Sequence, residues 1–305
     1  MEPNIVGETA AVLTSFLWTV TSLFFTSAGK KIGPLSVNAH RMVMAVGFLV
    51  LAHVILLGTV LPMATNGQWL WMGMSGIVGL GIGDLGLIGA FVAIGPRRSV
   101  LVMALSPIFA SIVAYLMLGE VIPTLAALGM ALTLAGVVVV IMEEGERSGE
   151  EPVSTKLRNY GVLLALIGAI GQGVDLVLAK KGIYLDAQMA LDPLSATLIR
   201  MTTGALFVWM IAAAAGRLPE LRRAMNNREG IGHTAAGAFT GPFMGVTLSM
   251  VAVTYTDAGV AQTLMSLIPV FIIPVVWILY KQKTSLRGIL GAVTAVVGVA
   301  ILFLT

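Results

Sequence analysis

No cysteine occurs among the 305 residues. Disulfides, thiolate nucleophiles and cysteine-bound metals are thereby excluded, and the redox compartment is left unreadable. Charge is also scarce: Asp, Glu, Lys and Arg make up 11% of the chain, against about 25% in an ordinary soluble domain. A water-facing surface cannot be built from so little. His40, His53 and His233 are too dispersed in the sequence for a metal site. No carboxylate pair and no nucleophile with its base is visible, so no catalytic residues and no cofactor are expected. The opening MEPNIVGETA lacks a basic stretch before the first apolar block, so the first helix is expected to stay in the protein and not to be removed as a signal peptide.

What the chain has in excess is apolar sequence, 57% by count with a mean hydropathy of +0.96. It is cut into blocks of about 20 residues, the length of helix that crosses about 30 Å of hydrocarbon. These predict an all-α integral membrane protein of ten transmembrane helices, over 8–29, 35–58, 69–94, 98–118, 123–142, 160–180, 193–215, 231–255, 258–280 and 285–304. The breaks between them are polar and turn-like: GKKIGP, LPMATNGQ, GPRR, GEVIP and YKQKTS among others. Trp69, Trp71 and Tyr280 fall at helix ends, as an interfacial belt would. The net charge of +3 and the pI near 9.3 do not signal nucleic acid, because the basic residues are scattered through short connections and form no stripe.

The two halves of the sequence resemble each other. Pro34-Leu35-Ser36 followed by Arg41-Met42 recurs as Pro193-Leu194-Ser195 followed by Arg200-Met201, 159 residues later. Pro107 matches Pro269, Gly79 and Gly83 match Gly241 and Gly245, and Gly129 and Gly136 match Gly291 and Gly298, all at an offset of 162. Lys30-Lys31 and Lys180-Lys181 align at 150. The spacing predicts a first five-helix repeat over 1–142, a polar linker over 143–158 and a second repeat over 159–305. An odd number of spans per repeat turns the second upside down relative to the first, the inverted arrangement of secondary transporters with a midplane site. Of the eighteen Lys and Arg, all but Lys180, Lys181 and Arg200 lie in or beside the odd-numbered connections. Positive charge favours the cytoplasm, so this count puts both termini outside.

The segment AIGPRRSVLVMALSPIFASIVAYLMLGEVIPTLAALGMALTLAGVVVVI at 93–141, with Arg41 early in helix two, resembles the EamA domain of the drug/metabolite transporter superfamily. TYTDAGVAQTLMSLIPVFIIPVVWILYKQKTSLRGILGAVTAVVGVAILF at 254–303 repeats its cadence, so the resemblance spans nearly the whole chain. It implies a ten-helix carrier of metabolites, amino acids or related solutes in a bacterial or archaeal plasma membrane. It also implies cytoplasmic termini, against the charge count. Gly119-Glu120 becomes Lys281-Gln282 in the second half, a departure that leaves the acidic turn present once. No Glu stands in the middle of helix one, so the cation–proton exchange of four-helix relatives is not carried over.

Ionisable groups inside apolar blocks single out the candidate site, since each costs about 2.5–3.5 kcal/mol at a helix centre on insertion scales. Asp84 lies in the middle of helix three, where the second half has Val246. It reads either as a substrate or proton group facing a cavity or as a carboxyl paired with a helix-two arginine. Asp175, one turn beyond Gln172 in helix six, occupies the stripe equivalent to Trp18, Ser22 and Phe25 in helix one. It reads as cavity lining or as a partner of Lys180 or Arg200. Gln262 and Ser266, one turn apart beside Pro269, are further lining candidates. Arg41 and Arg200 read first as snorkelling anchors and second as contacts for a carboxylate or phosphate. Gly79, Gly83, Gly241 and Gly245 read as packing surfaces that bring helices three and eight together, and Pro107 and Pro269 as kinks or flexing points. The function expected is alternating-access transport of a small organic metabolite, preferably an amino acid or similar zwitterion, with a coupling proton as a further partner and a monomer as a sufficient state. The competing classes are a membrane-embedded enzyme acting on a lipid or small apolar substrate, and an ion channel.

Overall fold

A computed structural model describes residues 3–94, 99, 102–148, 155–185, 190–271, 274 and 285–304. Among these, all regular structure is helical. Helix α1 is Pro3–Ile32, α2 Pro34–Leu57, α4 Ser106–Leu118, α5 Thr124–Ser148, α6 Thr155–Ile183, α7 Pro193–Ala214, α9 Ala258–Met265 and α10 Leu286–Leu302. Helix α3 is composite: Asn66–Ser75, a π segment Gly76–Gly83, then Asp84–Ile94. Helix α8 has the same plan, with Arg228–Ala238, a π segment Phe239–Gly245 and Val246–Tyr255. Glycine density and Pro242 explain both π segments: the i→i−4 ladder is weakly enforced there, and π turns favour functional places. Sequence periodicity alone gave no sign of them.

Among the described residues, seven helices are long and apolar enough to cross a membrane, and 106–118, 258–271 and 286–302 are shorter apolar helices. Large apolar side chains such as Ile55, Leu56, Leu116, Leu128 and Leu290 stand exposed on the outside of the bundle. In water such a surface would aggregate, whereas in lipid it is matched to its solvent. Helical structure extends into both ends of the polar linker expected at 143–158. Helix α5 runs on to Ser148 and α6 begins at Thr155, because Glu, Arg and Lys are good helix formers. A seven-residue helix, Leu218–Ala224, interrupts the connection between α7 and α8. The end of the expected ninth helix, Tyr280 and Lys281-Gln282 lie outside the described residues.

Two pairs of equivalent helices, α2 with α7 and α5 with α10, run antiparallel. Near one end of α2, Trp209 of α7 donates its indole N–H to the Ala39 carbonyl at 3.1 Å. Near the other end, His53 and Ser195 are hydrogen-bonded at 3.0 Å. Helices α5 and α10 cross through glycines: a Cβ on Gly129 would lie 3.0 Å from the Gly298 carbonyl, and one on Gly291 3.0 Å from the Gly136 carbonyl. These are the same contact with the halves exchanged. We call the face where α1 begins and α10 ends the terminal face, and its opposite the linker face.

One expectation is overturned. The glycine ladders of α3 and α8 do not meet each other: Gly79 faces Asp175 of α6 and Gly83 faces Gly168 and Gln172, while Gly241 faces Thr21 and Gly245 faces Trp18 of α1. Small residues allow close approach without choosing the partner, and the fold exchanges the first helix of each half, placing α6 on α3 and α1 on α8.

Pro107 and Pro269 share one local geometry. Each follows a turn, at Ala104–Leu105 and Ser266–Leu267 respectively, after which helix resumes. Proline has no N–H to continue the ladder, so the chain breaks just before it.

Candidate functional site

Four charged side chains are buried between α2, α3, α6 and α7. Arg41 and Asp84 are 8% exposed, and Asp175 and Arg200 are 3% exposed. Arg41 donates through Nη2 to Asp84 and through Nε to Asn38 Oδ1 at 2.9 Å. Arg200 donates through Nη2 to Asp175 Oδ2 at 2.7 Å, and its Nη1 reaches the Met250 sulfur at 3.0 Å. Gln172, one turn before Asp175 on α6, donates to Asp84 Oδ1 at 3.1 Å. Ser75 of α3 donates to the Asp175 carbonyl at 2.7 Å, fixing the α3–α6 contact beneath the carboxylate.

The arginines therefore do not snorkel. Each is the eighth residue of its helix, about 10 Å in from the helix start at 1.5 Å per residue, and α2 and α7 start on opposite faces. A carboxylate within reach makes that depth tolerable, because a buried charge with no partner would cost several kcal/mol. Of the two readings weighed for Asp84, the structure shows the carboxyl paired with the helix-two arginine, Arg41. Of the two partners weighed for Asp175, the structure selects Arg200.

The halves solve the same problem differently. Asp175 and Phe25 occupy equivalent positions, and each meets the arginine of its own half. Asp175 offers a carboxylate to Arg200, whereas Phe25 offers a ring 5.3 Å from the Arg41 guanidinium carbon. A ring face attracts a cation weakly, so Arg41 draws its full counter-charge from Asp84 on α3. This explains why a carboxyl stands at 84 and valine at the equivalent 246. The repeat compares like with like and shows the asymmetry, but the compensation across helices needs the tertiary structure.

Several buried polar atoms here have no partner: Ser36 Oγ, Asn38 Nδ2, His40 Nε2 and Arg200 Nε. Buried donors are normally satisfied, so Asn38 Nδ2 beside Arg41 and Arg200 Nε are unfilled donors at the two ion pairs.

The remaining candidates lie elsewhere. Gln262 donates to Ser106 Oγ of α4 at 2.8 Å, and Ser266 donates to the Gln262 carbonyl at 2.9 Å, so both belong to the α4–α9 contact. Ser22 donates to the Thr19 carbonyl at 2.7 Å within α1. Trp18 packs on an apolar cluster of α2, α7 and Val246. Thus Arg41, Asp84, Gln172, Asp175 and Arg200 come together, and Trp18, Ser22, Gln262 and Ser266 do not join them. Among the described residues, no group of three or more His, Cys, Asp or Glu could hold a metal ion.

Two cavities open at the ends of the bundle. A groove of ≈ 740 Å³ at the linker face is lined by Lys31, Arg223 and Arg228 with Glu220. A cavity of ≈ 440 Å³ at the terminal face is lined by Glu8, Lys180, Tyr184, Tyr255 and Asp257 among others. Glu8 was missed in the sequence. The signal was there, a carboxyl at the sixth residue of a 30-residue apolar helix.

A polytopic helical bundle, with repeated landmarks on antiparallel helices and buried ion pairs between them, defines a membrane protein built from two related halves. The EamA-like transporter family model matches residues 5–142 and 159–304, and the chain belongs to that family. It is a multi-pass membrane protein of a family of small-molecule transporters. A solved crystal structure, described only as that of a protein, is similar with a TM-score of 0.75 and 17% identity over 99% of this chain and 96% of that one. At this identity it attests the fold. No curated protein matches the chain.

Proposed function

We propose that the chain is a secondary transporter in which two inverted five-helix halves carry a small organic metabolite by alternating access, with the buried ion pairs at the centre of the site. The three shorter apolar helices complete ten spans in a bacterial or archaeal plasma membrane. Support for the inversion comes from α2 lying antiparallel to α7 and α5 antiparallel to α10. In such an arrangement one half exchanges conformation with the other, opening the site to each side in turn.

The observation that carries the reading is the pair of unfilled buried donors, Asn38 Nδ2 and Arg200 Nε, each beside a guanidinium already held by an aspartate. A substrate carboxylate would satisfy those donors, and its ammonium would take the aspartate that the guanidinium releases. An amino acid or similar zwitterion exchanges charge for charge, so the site is never left with a lone buried ion. A proton on Asp84 or Asp175 is the alternative way of keeping that balance, and is the form that coupling would take.

Uptake into proteoliposomes tests this. Saturable flux of a zwitterion, with counterflow, is expected from the native chain and a loss of at least about tenfold from Asp84→Asn, equivalent to about 1.4 kcal/mol. Non-saturable ion conductance would favour a channel. Native uptake by correctly folded Asp84→Asn across pH would remove the role of the ion pairs.

A further inference from the structure

The terminal-face cavity holds an excess of carboxylate that the buried ion pairs do not use. Glu8 lines it, is 3% exposed, and makes no hydrogen bond or ion pair with any described residue. Asp257 lines it too, at the N-cap of α9, where its side chain makes no capping hydrogen bond. Lys180, the cation in the wall, is already engaged by Glu120 at 2.6 Å and by the Thr256 carbonyl at 2.7 Å. Glu120 in turn accepts the Ala258 N–H at 3.0 Å. Glu120 already matches the Lys180 charge from beside the wall, so among the described residues the lining carboxyls Glu8 and Asp257, when ionised, leave two negative charges unmatched around ≈ 440 Å³.

A buried carboxyl without a partner either keeps a proton or gains by drawing in a cation. A bare metal ion is poorly served, because no group of three ligating side chains is present among the described residues. The walls instead include Tyr184, Tyr255 and Asn4. Tyrosine faces attract the apolar, positively charged skirt of an organic cation, and the volume is in the range of small-ligand sites. The linker-face groove is lined by Lys31, Arg223 and Arg228, so a cation is favoured at one face only. We propose that the terminal-face cavity is a binding site for a small organic ammonium ion, held by Glu8 and Asp257 and stacked on Tyr184 and Tyr255. The inference stands on the cavity and does not require that the chain move solute.

The test is equilibrium dialysis of labelled benzylammonium against the purified full-length chain in detergent micelles, at neutral pH and constant ionic strength. Saturable binding near one equivalent is expected, with Kd raised at least about tenfold, equivalent to about 1.4 kcal/mol, by Glu8→Gln and by Asp257→Asn. Glu229→Gln, at an exposed linker-face ion pair with Lys31, should leave Kd unchanged. Absence of saturable binding would overturn the proposal, as would native affinity in both cavity variants. Equal competition by uncharged benzyl alcohol would do the same, since it would reduce the event to apolar partitioning. If Glu8→Gln fails to fold, Asp257→Asn at a partly exposed helix cap decides the matter alone. The binding is read at equilibrium without a gradient, so a chain that binds but shows no flux would refute the transport reading and leave this site standing.

Discussion

Removing one member of the Asp175–Arg200 pair should harm the protein far more than removing both. Their side chains are 3% and 4% exposed and meet at 2.7 Å. Asp175→Asn keeps the shape and an acceptor oxygen but leaves the buried Arg200 guanidinium without its counter-charge, with the Met250 sulfur on Nη1 and with Nε already unpaired. Orphaning one partner of a buried pair costs about 3–5 kcal/mol. Arg200→Met costs a similar amount by stranding the carboxylate, which the Ser75 hydroxyl cannot relieve because it is committed to the Asp175 backbone carbonyl. The double variant Asp175→Asn/Arg200→Met buries no charge and should recover most of the loss, giving a coupling energy of at least about 2 kcal/mol. The assay is reversible unfolding of the four proteins in bicelles, followed by tryptophan fluorescence. Strictly additive losses would refute the reasoning, since they would mean that each residue acts through packing and not through the other's charge.

Other consequences are as concrete. Gly136→Leu should destabilise the α5–α10 crossing by about 1–3 kcal/mol or more, since even its Cβ would collide with the backbone of Ala295 and Gly291; unchanged unfolding would sink the crossing. Ser195→Ala removes the α7 hydroxyl that binds His53 of α2 and should cost about 1 kcal/mol, to be read in the same titration. At the terminal face, burial first and the Glu120 carboxylate second push the Asp257 carboxyl above its ordinary 3.8, against the pull of Lys180. The folded state then holds a proton that the unfolded state has released, so stability falls as pH rises through the range above 3.8. Asp257→Asn should flatten that slope in pH-dependent unfolding, and an unaltered slope would assign it to another group. A single cysteine at Leu61, in this cysteine-free chain, should react with an impermeant maleimide from outside intact cells, and one at Asn226 only after permeabilisation, if the charge bias sets the orientation; the opposite pattern would favour the cytoplasmic termini that the resemblance implied.

Sequence alone was enough for the solvent, the helical class and the two-half plan, because each rests on local or periodic quantities. Scarce charge and long apolar blocks speak for lipid whatever the packing. The landmarks Pro34, Arg41, Pro107 and Gly129 recur as Pro193, Arg200, Pro269 and Gly291 whether or not the halves touch. The tertiary structure decided who meets whom. Gly79 and Gly241 were legible as packing positions, yet their partners are α6 and α1, because a small residue permits approach without naming a neighbour. Arg41 and Arg200 were legible as costly, and only the fold shows that Asp84 and Asp175 remove the cost. Phe25 stands where Asp175 does, so the first half had to recruit its carboxylate from α3, a compensation between residues 43 positions apart in sequence. Glu8 escaped notice because one carboxyl near a helix start looks interfacial; only the fold brings Lys180, Asp257 and Tyr255 to the same cavity from distant parts of the chain. Charge placement is chosen by neighbours in space, and periodicity carries no record of them.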